Sequence, residues 1–248
     1  MNDAAPEHEA PWYVAAFRAE YLDVYAHRDD AAARDDVAFA ARATALGATS
    51  IVLDAACGAG RHARELARCA RGVVALDLSA DLLARAAGRG GGPRYVRGDL
   101  RALPFGAARF DAVFSFFTSF GYFDDAGNAR QLAEMRRVLR RGAALFVDYL
   151  HAAHVRRSLV PRSERSVGGN TLVEERAIVD GRVRKKVTLD DGGAAPRTWR
   201  ESVALYDPPA LRALLVAAGF AVRGEYGDLR GAEFTAASAR YVVVAEAA

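Results

Sequence analysis

Cysteine is scarce in this chain. Cys57 and Cys69 are the only two in 248 residues, and they form no Cys-x-x-Cys pair. Nothing therefore suggests a disulfide framework or a thiolate zinc site. No pair of histidines has a carboxylate at convincing ligand spacing, so no catalytic metal is expected. Lysine is nearly missing too, with Lys185 and Lys186 alone beside abundant arginine. Neither sign of charge is in excess: 34 basic and 31 acidic residues leave +3. So small a surplus is no footprint for nucleic acid. No apolar run reaches the length of a membrane span. Residues 1–10 lack the basic-then-apolar order of a signal peptide. The expectation is a cytoplasmic protein with no nucleic-acid and no membrane partner. No internal repeat is present, and the 52% hydrophobic fraction is enough for a substantial core.

What is present centres on residues 51–63. Ile51, Val52 and Leu53 are a short apolar run, the signature of a buried parallel strand. Asp54 stands at its end, Gly58 and Gly60 follow, and helix formers run on from Arg61. Strand, glycine turn and helix bring backbone N–H groups against a ligand in an open α/β sheet. The pattern Gly58-Ala59-Gly60-Arg61-His62-Ala63 also fits a dinucleotide fingerprint, so its neighbours must decide. Asp54 lies upstream of the glycines, where a carboxylate suits a cationic ammonium and repels a pyrophosphate. Asp77 ends the next apolar run, Val73-Val74-Ala75-Leu76, where an acid accepts both hydroxyls of a ribose. Asp99 follows a third run, Tyr95-Val96-Arg97-Gly98. Three successive strand ends each carry an aspartate, which fits a nucleoside attached to a positively charged tail.

These segments, with Phe110-Asp111-Ala112-Val113-Phe114-Ser115 and the stretch Asp99-Leu100-Arg101-Ala102-Leu103-Pro104-Phe105, resemble the class I S-adenosylmethionine-dependent methyltransferases. The resemblance runs over roughly residues 12–246. One departure is Ala56, where many relatives carry a third glycine. The resemblance implies S-adenosyl-L-methionine as cofactor, S-adenosyl-L-homocysteine as product, and methyl transfer to an O, N or C atom of a small-molecule acceptor. It implies that Asp54, Ala55, Ala56, Gly58 and Gly60 cradle the methionine part, Asp77 and Leu78 the ribose, and Asp99 and Leu100 the adenine. Ser115 and Phe116 close the same site. In the family, N-terminal helices fold over the cofactor, which brings Tyr13, Tyr21 and Arg28 near its amino-acid end. No Asn-Pro-Pro-Tyr or Asp-Pro-Pro-Tyr occurs, which argues against the familiar amino-methylating enzymes of DNA bases and glutamine.

The fold expected is α/β: a Rossmann-like, seven-stranded, mainly parallel sheet with helices on both faces, an antiparallel C-terminal edge strand and a small antiparallel β insertion. Its parts are an N-terminal helical lid over residues 1–46, a cofactor-binding core over 47–150, an insertion covering the acceptor over 151–205, and the rest of the core over 206–248. Residues 115–123 are unusually aromatic for a loop, and Phe117, Phe120, Tyr122 and Tyr149 are the candidate acceptor contacts. An amphipathic helix is expected over 125–140 and a fifth strand over 143–149. His151, just past that strand, is the candidate general base. His62 has a weaker claim. Residues 156–170 read as a mobile loop, and 171–179 with 182–189 as a hairpin turned by Asp180-Gly181. Asp207 with Pro208 opens a helix, and 220–226 pairs with 240–246 at the sheet edge. The oligomeric expectation is a monomer or homodimer. Two other classes stay open: an NAD-dependent oxidoreductase, and a non-catalytic S-adenosylmethionine-binding protein.

Overall fold

A computed structural model describes residues 11–17, 24, 30–193 and 195–248. The apolar runs form the central strands β1 (Ile51–Ala55), β2 (Gly72–Asp77), β3 (Arg94–Arg97), β4 (Phe110–Ser115) and β5 (Leu139–Leu150), joined by parallel pairings. The C-terminal hairpin adds β10 (Phe220–Tyr226) and β11 (Arg240–Ala247). The sheet order is β10-β11-β5-β4-β1-β2-β3, with β11 antiparallel to both neighbours. The order reverses between β1 and β4, which opens a crevice beyond their carboxyl ends.

The strand pleat divides the core into two layers. Leu53, Val113, Leu145 and Val243 face one side, where α5 (Asp125–Val138) and α7 (Pro208–Ala217) bury Leu132, Met135, Leu211 and Leu215. Val52, Val73, Phe114 and Phe146 face the other, covered by α2 (Asp30–Ala43) through Val37 and Phe39 and by α3 (Arg61–Leu66) through Leu66. Local capping fixes where helices start. The Ser79 side chain accepts from Leu82 N–H at the head of α4 (Ala80–Gly88), Asp124 from Gly127 N–H in α5, and Asp207 from Ala210 N–H in α7.

A second sheet, β6-β7-β8-β9, contains β6 (Arg162–Val167), β7 (Asn170–Val179), β8 (Arg182–Asp190) and β9 (Arg197–Ala204). Asp180 and Gly181 both take positive φ, as a two-residue hairpin turn requires. Residues 156–170 are not the expected loop: they finish α6 (Ala152–Ser158) and supply β6. β6 alternates between two polar sets, so it shows no apolar period, and its order comes from pairing with β7. The helix expected to reach residue 140 ends at Val138, and the chain passes straight into β5. A register slip between Phe110–Leu139 and Ala112–Ala144 absorbs Gly142 at φ 77°.

The insertion is tied to the aromatic loop after β4. The Arg182 guanidinium donates to the carbonyls of Phe123, Gly121 and Tyr122 at 2.9, 3.0 and 3.1 Å. Ala204 N–H donates to Gly121 O at 2.8 Å, and the Tyr149 hydroxyl bonds Ala204 O. The short helix α1 (Trp12–Ala16) lies on the same loop, with Trp12 on Tyr122 and Tyr13 on Phe123, each at 5.1 Å between ring centres.

Candidate active site

The crevice between β1 and β4 holds a cavity of about 690 Å³. Its floor is the turn after β1, where Ala56, Gly58 and Gly60 take φ of 65°, 55° and 74°. Left-handed backbone suits glycine. At Gly60 space demands it as well, since a Cβ would stand 2.6 Å from the Tyr95 hydroxyl oxygen. Ala56 holds the same conformation with a Cβ, at a local cost of about 1–2 kcal/mol.

Three acids surround this turn. Asp77 lines the cavity, and its two oxygens accept from Gly58 N–H and Ser79 N–H, both at 2.8 Å. Burial pushes its carboxyl above the usual range, and those N–H bonds oppose the rise. Asp99 lines the cavity beside Leu100. Arg101 grips it with Nη2 at 2.7 Å and Nε at 3.1 Å, which holds its pKa below the usual range. Asp54 lies behind the lining, fully buried, and its Oδ2 has no hydrogen-bond partner. Burial first, and the nearby Asp77 charge second, push its pKa up to about 7.

The opposite wall is aromatic. Phe116, Phe117, Tyr122 and Phe123 line the cavity together with Phe17 and Tyr13 from the N-terminal side. Phe117 and Thr118 both take positive φ, near 58° and 60°. Buried Asp148 holds this bend by accepting from Phe117 N–H at 2.8 Å, and Arg240 bridges Asp148 and Thr118 at 2.7 and 3.0 Å. His62 also lines the cavity, its ring stacked on Phe116 at 4.1 Å.

The sequence candidates divide by position. Tyr13, Ala56, Gly58, Asp77, Leu78, Asp99, Leu100, Phe116, Phe117 and Tyr122 all line the cavity. Asp54, Ala55, Gly60 and Ser115 stand directly behind it in β1, the turn and β4, outside the lining. Phe120 and Tyr149 do not reach it; they plug the core, their rings 5.8 Å apart. Tyr21 and Arg28 lie outside the described residues. His151 is a correction. It was expected at the cleft mouth, but it is buried outside the lining, with Nδ1 2.7 Å from Ser238 O and its ring against Phe234. As the residue before α6 it turns away from the cleft toward the loop preceding β11. Sequence reasoning missed Phe17, Arg61 and Ser79 in the lining and ranked His62, which also lines it, below His151. The signal available for His62 was its place two residues after Gly60, on the first turn of the helix behind the crevice.

A profile of the methyltransferase domain family matches residues 52–142, from β1 to the glycine inside β5. Over that stretch the chain is similar to a methyltransferase domain. Malonyl-[acyl-carrier protein] O-methyltransferase of Pseudescherichia vulneris is 38% identical over 94 residues, which are 38% of this chain and 36% of that protein. A dTDP-3-amino-3,6-dideoxy-alpha-D-glucopyranose N,N-dimethyltransferase of Streptomyces fradiae is 42% identical over 86 residues, 35% of this chain and 32% of its own. The chain thus spans about a third of the length of these curated relatives in the matched region. The similarity in fold extends further. The solved CcbJ methyltransferase of Streptomyces caelestis superposes with a TM-score of 0.80 at 21% identity, covering 97% of this chain and all of the other. No helix among the described residues is long and apolar enough to cross a membrane.

Proposed function

We propose that this protein transfers a methyl group from S-adenosylmethionine to a small-molecule acceptor. The observation that carries the reading is the set of strand-tip acids around one glycine turn, with Asp77 and Asp99 on the cavity and the unpartnered Asp54 oxygen beneath it. That donor set fits the cofactor: an orphaned buried carboxylate awaits a cation, and a turn with positive φ at Gly58 leaves main chain open to close approach. When bound, S-adenosylmethionine supplies an electrophilic methyl group on a sulfonium.

In this reading, Asp77 accepts the ribose hydroxyls while the Gly58 and Ser79 N–H groups hold its carboxylate in place. Asp99, oriented by Arg101, accepts from the adenine amino group, and Leu100 packs the ring. Asp54 balances the charge of the amino-acid end. The aromatic wall excludes water, and much of the rate advantage comes from holding the reacting atoms in line. The N-terminal residues 1–46 serve as the lid and the insertion 151–205 as the cover of the acceptor. The two curated relatives act on a carrier-bound acyl group and an amino sugar, which supports a small acceptor without naming it.

Titration calorimetry with S-adenosylhomocysteine tests the cofactor assignment. Asp77→Ala is expected to weaken binding about tenfold or more, equivalent to about 1.4 kcal/mol. Unchanged affinity would remove the ribose assignment, and binding of NADH in place of S-adenosylhomocysteine would overturn the reading.

A further inference from the structure

We propose that His62, held by Asp36, is the catalytic base that takes the acceptor's proton, and that the acceptor is a hydroxyl or an ammonium group. The inference rests on the methyltransferase reading and adds the proton acceptor and the acceptor class to it.

The geometry is that of a positioned base. His62 Nε2 lies 3.0 Å from Asp36 Oδ2, so Nε2–H donates to the carboxylate and the tautomer leaves the lone pair on Nδ1. Stacking on Phe116, with 15° between the planes, fixes the ring's tilt. A base oriented by a carboxylate on one nitrogen, with its other nitrogen available, is the arrangement general-base chemistry requires. The cavity supplies no better group. Asp77 is tied to the glycine turn, Asp99 is gripped by Arg101, and Asp30 is paired with Arg64. His62 is the one histidine among the described residues that line the cavity.

The charged groups facing His62 are Asp36 from α2, Arg61 from its own helix and Asp148 from β5. Burial lowers its proton affinity, and the Asp36 hydrogen bond works in the opposite direction. The ring is therefore neutral near pH 7 and able to accept. In the step itself, a proton of the acceptor passes to Nδ1 and leaves its bonding pair on the acceptor atom; that pair forms the bond to the methyl carbon, and the sulfur keeps the pair of the breaking C–S bond. A carboxylate acceptor is already ionised and would need no such base. A hydroxyl or ammonium does.

The test uses full-length protein labelled with ¹⁵N-histidine and saturated with S-adenosylhomocysteine, with His62→Gln assigning the resonance. The expected result is an Nε2-protonated tautomer that takes a second proton reversibly, with a midpoint below that of a free imidazole and a still lower midpoint in Asp36→Asn. A parallel assay follows S-adenosylhomocysteine release from S-adenosylmethionine with an amino sugar nucleotide, catechol and malonyl-pantetheine as probes. His62→Gln should lower turnover of an amine or hydroxyl probe about a hundredfold or more and abolish the acidic limb of its pH profile. An Nδ1-protonated tautomer, a ring that does not titrate, turnover unchanged in His62→Gln, or turnover of malonyl-pantetheine alone would overturn the proposal. Failure of the unaltered protein to bind S-adenosylhomocysteine would instead overturn the methyltransferase reading on which it rests.

Discussion

Asp54 shows how one side chain's surroundings set its chemistry. Its carboxyl is buried, beside a second acid, with one oxygen unpartnered. With a pKa near 7 in the fold against about 3.9 unfolded, the folded state holds a proton that the unfolded chain gives up. Its contribution is complete below about pH 4 and fades as pH rises to about 7, a loss on the order of 4 kcal/mol. Thermal unfolding of the ligand-free protein should therefore show stability falling across that window, and Asp54→Asn should flatten the fall. A variant with the same pH dependence as the parent would contradict this. The strand-tip acids were legible because Asp54 and Asp77 directly follow apolar runs and Asp99 comes two residues past the third strand. The partnership of His62 with Asp36 was not, since 26 residues separate them and only the packing of α2 on α3 brings them together. Nor was the displacement of His151, which depends on a carbonyl 87 residues away.

Among the elements, β8 has a role its polar alternation did not reveal. Arg184 and Lys186 are exposed and paired with Asp180 and Glu175. Arg182 instead folds inward onto three loop carbonyls. Arg182→Met keeps the stem and removes the donors, leaving Tyr122 O without this partner. A loss of about 1–3 kcal/mol is expected in chemical denaturation, with faster amide exchange over residues 121–123. Unchanged exchange there would mean that Ala204 N–H and Asn128 hold the loop alone. Periodicity gave the hairpin, the C-terminal pair and the capped start of α7 correctly, because turn and cap chemistry are local. It missed β6 and ran α5 too far, since a polar strand and a helix-to-strand junction draw their order from neighbouring strands.

For the molecule as a whole, both accessory parts meet at the aromatic loop. α1 reaches it through Trp12 and Tyr13, and the insertion through Arg182. The Ser79 hydroxyl, on the opposite rim, donates to Phe17 O at 2.6 Å. A ligand spanning Asp77 and Phe116 would lie under α1, so S-adenosylhomocysteine is expected to slow amide exchange in residues 11–17 and to shift Trp12 fluorescence. No change in either would separate α1 from cofactor binding. The parallel sheet and its crevice were legible from the order of apolar runs. The way α1 and the insertion close on one loop was not, because it rests on contacts between segments far apart in the chain. A crystal structure of the complex with S-adenosylhomocysteine tests the central claim most directly. The account predicts the ribose on Asp77, the adenine between Leu100 and Asp99, and the amino-acid end over Gly58 above Asp54. A ligand bound elsewhere, or lying in the cavity without touching Asp77 and Asp99, would contradict it.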